Sequence, residues 1–300
     1  MRVDPFYVTN LVSALDQTQG TEQNLANELS SGIRFNELGD DPVSAGRNVL
    51  LLNQIQQDDS FTQSSSLVTG QLQVADSALG SVVSQLTQAI SLATSANNGT
   101  MNASDVQSIG AQISGVLSEV ESLANSSYQG QYIFAGGKTT TVPFATSNAT
   151  SPETTTYSGD SDVNYLETPN GQKIQLNVPG SQIFLGATSV FGVLNSLVAD
   201  YSSGVVNTAQ ATQDTQALTA ALNTVSQQRV IIDNSMTQLT AASGALTTEQ
   251  TQLSVAQTNL MQADLATVAT QLSLSKTQET ALESVISQLG SGSLFDKLQG

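Results

Sequence analysis

The chain has 300 residues, of which 39% are hydrophobic, 5% aromatic and only 11% charged, with no Trp and a formal net charge of −17 from 25 acids against 8 bases. That acidic balance, with the bases Arg2, Arg34, Arg47, Lys138, Lys173, Arg229, Lys276 and Lys297 scattered, repels phosphate backbones and excludes nucleic acid as a partner. With no Cys and no His, disulfides, thiolate nucleophiles, Cys-based zinc sites and the commonest general base are missing, so no catalytic residue, metal site or cofactor is expected and the chain reads as a non-enzyme.

The opening "MRVDPFYVTNLVSALDQTQG" lacks the apolar core of a secretory signal, and no window reaches the roughly 18 apolar residues of a membrane span. Export, if it occurs, is expected without a cleaved signal, and no membrane partner is expected. The first apolar stripe runs through Val8, Leu11, Leu15, Leu25 and Leu29 at helical spacing, interrupted by Thr18 and Glu22. Gly32 then stands where a helix commonly ends in a left-handed residue. The restart is legible too: the carboxylates of Asp40 and Asp41 can accept bonds from free N–H groups of a new helix, and Pro42 suits its first turn. "LSSGIRFNELGDDPVSAG" is therefore a corner between two helices.

From about Pro42 to about Ala96 the spacing predicts one helix on the order of 80 Å long, with Val68, Leu72, Ala75, Leu79, Val82, Leu86, Ala89 and Ala93 forming a heptad seam. "NNGTMNASD" breaks it, and Ser104 with Gln107 reads as a capping box for a helix striped by Val106, Ile109, Ile113, Val116, Val120 and Leu123. The short connection predicts an antiparallel neighbour. From about Gln131 to Ala187 the period becomes extended. "QYIFAGGKTTTVPF" carries strand formers with Gly and Pro punctuation, and "NYLETPNGQKIQLNV" sets the turn "TPNG" between two strand-forming runs. A short helix follows with Val190, Leu194, Leu197 and Tyr201 on one face.

The cleanest repeat comes late: Leu218, Val225, Ile232, Leu239, Leu246, Leu253 and Leu260 are each seven apart. Its companion row, Leu222, Arg229, Met236 and Ser243, is uneven, which predicts a helix packed on two unequal partners. Beyond Leu260 the register shifts to Leu265, Leu272 and Ile286, with Val268, Leu282 and Leu289 beside them, and Ser275 and Glu279 interrupt.

Candidate chemistry does not develop. "AGGKTTT" lacks the first glycine of a phosphate loop, because position 132 is Tyr132, and its Thr run reads as strand. "SGDSD" lacks the spacing and closing Glu of a calcium loop and reads as a solvated turn. Four Asn-x-Ser/Thr strings, at Asn98, Asn102, Asn125 and Asn148, are what chance supplies in a chain this rich in Asn, Ser and Thr.

The fold class expected is mainly α: a long antiparallel helical bundle or coiled-coil rod formed by both chain ends, with a small β-rich domain inserted in the middle. The divisions are 1–40 and 263–300 as terminal helices, 41–130 and 188–262 as the rod, and 131–187 as the β-rich part. The middle helices cover one another, whereas the two terminal stripes, each interrupted by polar residues, leave seams half covered. They are expected to stay poorly ordered in the free chain and to fold when other copies cover them.

With "LSSGIRFNELGDDP" near the start, this architecture resembles the flagellin superfamily, whose N-terminal region carries a similar "LSSG", basic residue and "DD" pattern. Within it, "DDPVSAG", "YIFAGGKTTTVPF" and the ending "SLFDKL" look more like the hook-associated junction proteins of the FlgL type than like filament flagellins. The resemblance implies a structural part of the flagellum that joins hook to filament, located outside the cell and exported by the flagellar type III route. It implies as partners other copies of the chain, an adjacent hook-associated junction protein and flagellin, with an export chaperone compatible. Carried onto this sequence it implies subunit contacts at Leu11, Leu15, Leu25, Leu29, Ile33, Asp40, Asp41, Leu265, Leu272, Leu282, Ile286 and Leu289. A short filament flagellin is the nearest rival, and an unrelated exported coiled-coil adhesin the second.

Overall fold

The computed structural model describes residues 5–35, 39, 41–97, 101–147, 154–186 and 188–291. The elements in order are α1 (Pro5–Ser31), α2 (Pro42–Ala96), α3 (Ala103–Ala124), β1 (Ser127–Tyr128), β2 (Gln131–Tyr132), β3 (Phe144–Ser147), β4 (Thr154–Tyr157), β5 (Tyr165–Glu167), β6 (Lys173–Gln175), α4 (Gly180–Phe184), α5 (Val190–Ser202), α6 (Thr208–Met261) and α7 (Leu265–Ser291). Long helices towards both ends with a few small strands between them are the mainly α class expected. The chain divides into two compact units: an end unit of Met1–Gln56 with Glu249–Gly300, and a central unit of Gln57–Thr248.

The central unit is built on helix seams. Leu72, Ala75, Leu79, Val82, Leu86, Ala89 and Ala93 of α2 are all buried, as are Val106, Ile109, Ile113, Val116 and Val120 of α3 and the heptad row Leu218, Val225, Ile232, Leu239 and Leu246 of α6. These rows fuse into one apolar core. The uneven companion row has a physical reason: the Arg229 Nε donates to Asp76 Oδ1 at 2.7 Å. Gly80, one turn on from Asp76, leaves room for it, since a Cβ there would lie 3.6 Å from the guanidinium carbon. The helix α5 buries Val190, Leu194, Leu197 and Tyr201, as its spacing predicts, and packs along α3, where a Cβ on Gly110 would come within 3.1 Å of the Tyr201 Cβ.

The cap of α3 is a correction. Asn102, not Ser104, occupies the N-cap, its Oδ1 accepting from the Asp105 N–H at 2.9 Å. Asn-x-x-Asp offers the same short acceptor two positions earlier, and Asn caps as well as Ser.

Among the described residues the β-rich middle shows three separate two-stranded antiparallel pairs, β1–β2, β3–β4 and β5–β6. The "TPNG" turn lies where expected, with Thr168 N–H donating to Gln172 C=O and Gly171 N–H donating to Thr168 C=O, each at 2.8 Å. The Thr run at 139–141 is not a strand; Thr141 N–H closes a turn on Lys138 C=O at 3.0 Å. Nor does a helix open after Lys138, and the Gly137 N–H that a phosphate loop would present is taken by Asp160 Oδ1 at 2.6 Å. "SGDSD" is thereby a staple: Asp160 also accepts from Asp162 N–H at 3.2 Å, and these backbone bonds, Gly137's foremost, hold its carboxyl below the ordinary value.

Aromatic rings fill the centre of this region. Phe144 is buried with its ring centroid 5.0 Å from Tyr157, 5.2 Å from Phe184 and 5.1 Å from Phe191. Its backbone is read by the Asn125 side chain, which donates to Phe144 C=O at 2.8 Å and accepts from its N–H at 2.9 Å. An amide side chain thus acts as a strand partner at the end of α3.

Candidate functional site: the paired chain ends

The end unit starts from two helix stops. At the end of α1, Gly32 adopts φ +69°, and its N–H returns to Glu28 C=O at 2.9 Å, the left-handed ending its position predicts. At the end of α6 the chain leaves helix at Met261 and restarts at Leu265. There Asp264 caps α7, accepting from Ala266 N–H at 3.1 Å and from the Thr267 hydroxyl at 2.8 Å. These bonds, led by Thr267, hold the Asp264 carboxyl below the ordinary value.

The two breaks pair with each other. Arg34 N–H donates to Met261 C=O at 2.7 Å, Ala263 N–H donates to Gly32 C=O at 2.9 Å, and Ile33 and Gln262 form an isolated antiparallel bridge between them. The start of α2 is tied to the same place: Asp41 Oδ1 accepts the Ser44 N–H at 3.0 Å, and the Arg34 guanidinium reaches both Asp41 Oδ2 and Ser44 Oγ at 2.8 Å. Hydrogen bonds from Ser44, reinforced by Arg34, hold the Asp41 carboxyl low. The helix-capping role read for Asp41 is present; Asp40 lies outside the described residues.

From this junction α1 and α7 run antiparallel. Leu25 of α1 packs on Ala263, Val268 and Leu272. Further along, Gln19 Nε2 donates to Glu279 Oε1 at 3.0 Å, and Ala14, Thr18, Ser275 and Leu282 line a cleft of about 590 Å³. Of the residues expected at subunit contacts, Leu25 and Leu272 join this small core, and Leu11, Leu15, Ile33, Leu282 and Ile286 are half-buried. Leu29 and Leu265 are exposed, at 37% and 48%. Leu289 lies in α7, but its side chain is outside the described residues.

The start of α2 and the end of α6 meet through polar groups, Gln54 to Glu249 and Gln257 to Asn48, each at 2.9 Å. Leu51, Ile55, Leu253 and Leu260 are half-buried there, whereas Leu50 is 69% exposed and Val43, Val49, Leu52 and Val255 are also open. On α1 and α7, Phe6, Tyr7, Val12 and Leu274 are exposed as well. Sequence reading of the stripes missed these residues, because they sit off the rows followed there. The signal that finds them is an excess of apolar positions over what one seam can bury.

Among the described residues no group of three or more acidic side chains is placed to hold a metal ion, and no helix is long and apolar enough to cross a membrane. The arrangement offers apolar contact surface.

Residues 7–139 match the family model of the bacterial flagellin N-terminal helical region, so the flagellin-type resemblance read from "LSSGIRFNELGDDP" holds. The named relatives fall on the hook-associated side. The chain is similar to Flagellar hook-associated protein 3 of Escherichia coli K12, 25% identical over 254 residues that span 80% of this chain and 76% of that one. It is similar also to the protein of the same name from Salmonella typhimurium, 27% identical over 179 residues, 59% of this chain and 55% of that one. Its fold is that of a flagellar hook-associated protein from Vibrio parahaemolyticus, with TM-score 0.67 at 18% identity over 74% of this chain and all of the other. It is likewise that of the flagellar junction protein FlgL from Legionella pneumophila, with TM-score 0.59 at 14% identity over 72% of this chain and all of the other.

Proposed function

We propose that this chain is a structural, non-catalytic subunit of the bacterial flagellum that joins hook to filament by packing its paired ends against other subunits. The observation that carries the reading is the end unit: among the described residues its buried apolar side chains are few, Leu25, Phe35, Ala45, Ala263 and Val268 with Leu272 partly covered, while Phe6, Leu50, Val255 and Leu274 face solvent. Large apolar side chains crowded in one small unit mark a surface that another chain covers. The similarity to Flagellar hook-associated protein 3 supplies the setting.

In this reading 1–40 and 263–300 form the assembly-dependent terminal part, 41–130 and 188–262 the rod, and 131–187 the outer β-rich domain. The partners are further copies of the chain, an adjacent hook-associated junction protein and flagellin, reached by flagellar type III export that an export chaperone can assist. The contacts run through Leu11, Leu15, Leu29, Leu265, Leu282 and Ile286, joined by the open residues above. Leu25, Leu272, Ile33 and Asp41 support them by fixing the helix pair and its junction.

Electron microscopy of flagella from a strain lacking this chain tests the reading. Filaments shed from intact hooks are expected. Filaments that stay attached overturn the junction role, and a purified chain that polymerises alone into long filaments favours a filament flagellin instead.

A further inference from the structure

The α1–α7 seam is apolar at one end and carries acids in its middle. One turn from Leu25 along α1, Glu22 faces Glu279 of α7, with Ser275 buried beside them. Glu22 Oε1 is closed off from solvent and has no hydrogen-bond partner among the described residues, whereas Glu279 Oε1 accepts from Gln19. The packed neighbour of α1 is α7, and the charged groups it brings to Glu22 are Glu279, Lys276 and Glu283. Loss of solvent, and after it the Glu279 charge, push the Glu22 carboxyl above its ordinary value; Lys276 offsets this only in part. Like charges facing across a helix pair oppose its formation, and protonation of Glu22 relieves that.

We propose that Glu22, facing Glu279, is a proton-operated latch between the two ends of the free chain, loosened by mutual repulsion at neutral pH and closed when Glu22 takes up a proton. The sign follows from linkage. Glu22 is harder to ionise when α1 and α7 are paired than when they are apart, so the paired state holds more protons. Pairing therefore strengthens as pH falls from neutral towards the ordinary glutamate value of 4.5, and gains nothing further from this group below it. At neutral pH the latch keeps the ends available to other subunits, but its existence in the free chain does not depend on the assembly proposed above.

Amide hydrogen exchange on the full chain, kept dilute and monomeric and corrected for intrinsic rates, tests the latch at pH 7.5 and pH 5. Protection across 10–30 and 266–288 is expected to rise about threefold or more at the lower pH, while α3 and α5 stay level. Glu22→Gln is expected to raise protection at pH 7.5 towards the acid level and to flatten the pH response, and Glu279→Gln to do the same through the other partner. A wild-type response confined to less than this rise, or a full response retained in both variants, overturns the latch. So does a uniform loss of protection in both variants at both pH values, which would make the pair a plain contact.

Discussion

Arg229 of α6 and Asp76 of α2 meet at 2.7 Å beside a mainly apolar helix seam, with their side chains 34% and 25% exposed. The pair fixes register where heptad spacing alone would tolerate a slip, since a seven-residue repeat of similar Leu, Val and Ile looks alike one heptad along. Water still reaches both groups, so the coupling is modest. A double-mutant cycle of Arg229→Ala and Asp76→Ala is expected to give a coupling of about 0.5–1 kcal/mol in urea unfolding, falling in high salt.

Two glycines call for opposite outcomes on substitution. Gly32 holds φ +69° at the end of α1, so Gly32→Ala is expected to cost about 1 kcal/mol. Gly244 lies inside α6, exposed and with nothing within 4 Å of a built Cβ, so Gly244→Ala is expected to gain about 1 kcal/mol. Chemical denaturation read by circular dichroism measures both.

Phe144 is 1% exposed and touches three other rings. Phe144→Ala is expected to cost about 3–5 kcal/mol, with the loss confined to the central unit. Native-state exchange should show the three strand pairs opening while protection in α1 and α7 stays as it was.

Acid acts on the end unit in two directions. The Asp41 and Asp264 carboxyls are held below their ordinary value of 3.8, so their stabilisation is complete above it and is lost as pH falls through the lowered values. Glu22 contributes in the other sense, gaining as pH falls to 4.5. Protection of α1 and α7 is therefore expected to peak between these two ordinary values. Asp264→Asn keeps a capping acceptor and should soften the acid side of the peak.

Much of the molecule is legible in the sequence because local chemistry and global packing agree. Gly32 ends a helix, Asp41 and Pro42 start one, the α2 seam predicts a helix to Ala96, and the late heptad row is buried from Leu218 to Leu246, with Leu253 and Leu260 half-buried. What escapes depends on partners far away in sequence. Arg34 reads as one of eight scattered bases until the fold sets it between Asp41, Ser44 and the carbonyl of Met261. Asp264 and Thr267 do spell a local cap, but inside a run of apolar periodicity the break passes as a register shift. The pairing of α1 with α7 is harder still to read, since stripes interrupted at Thr18, Glu22, Ser275 and Glu279 admit several alignments. The Thr run at 139–141 misleads because strand propensity reports a fit to a half-buried pleated surface; Thr139 C=O takes one bond from Tyr132 N–H of β2 at 2.8 Å, and Thr141 N–H then turns back on Lys138 C=O instead of extending a ladder.

The helix that α1 packs against is α7, so a segment made early in synthesis meets its mate only after almost all the intervening polypeptide has left the ribosome. Contacts such as that of Gln19 with Glu279, 260 positions apart, carry a large loop-closure cost and form late. The central unit can condense earlier from its own neighbours, and α1 waits for its opposite number to be translated.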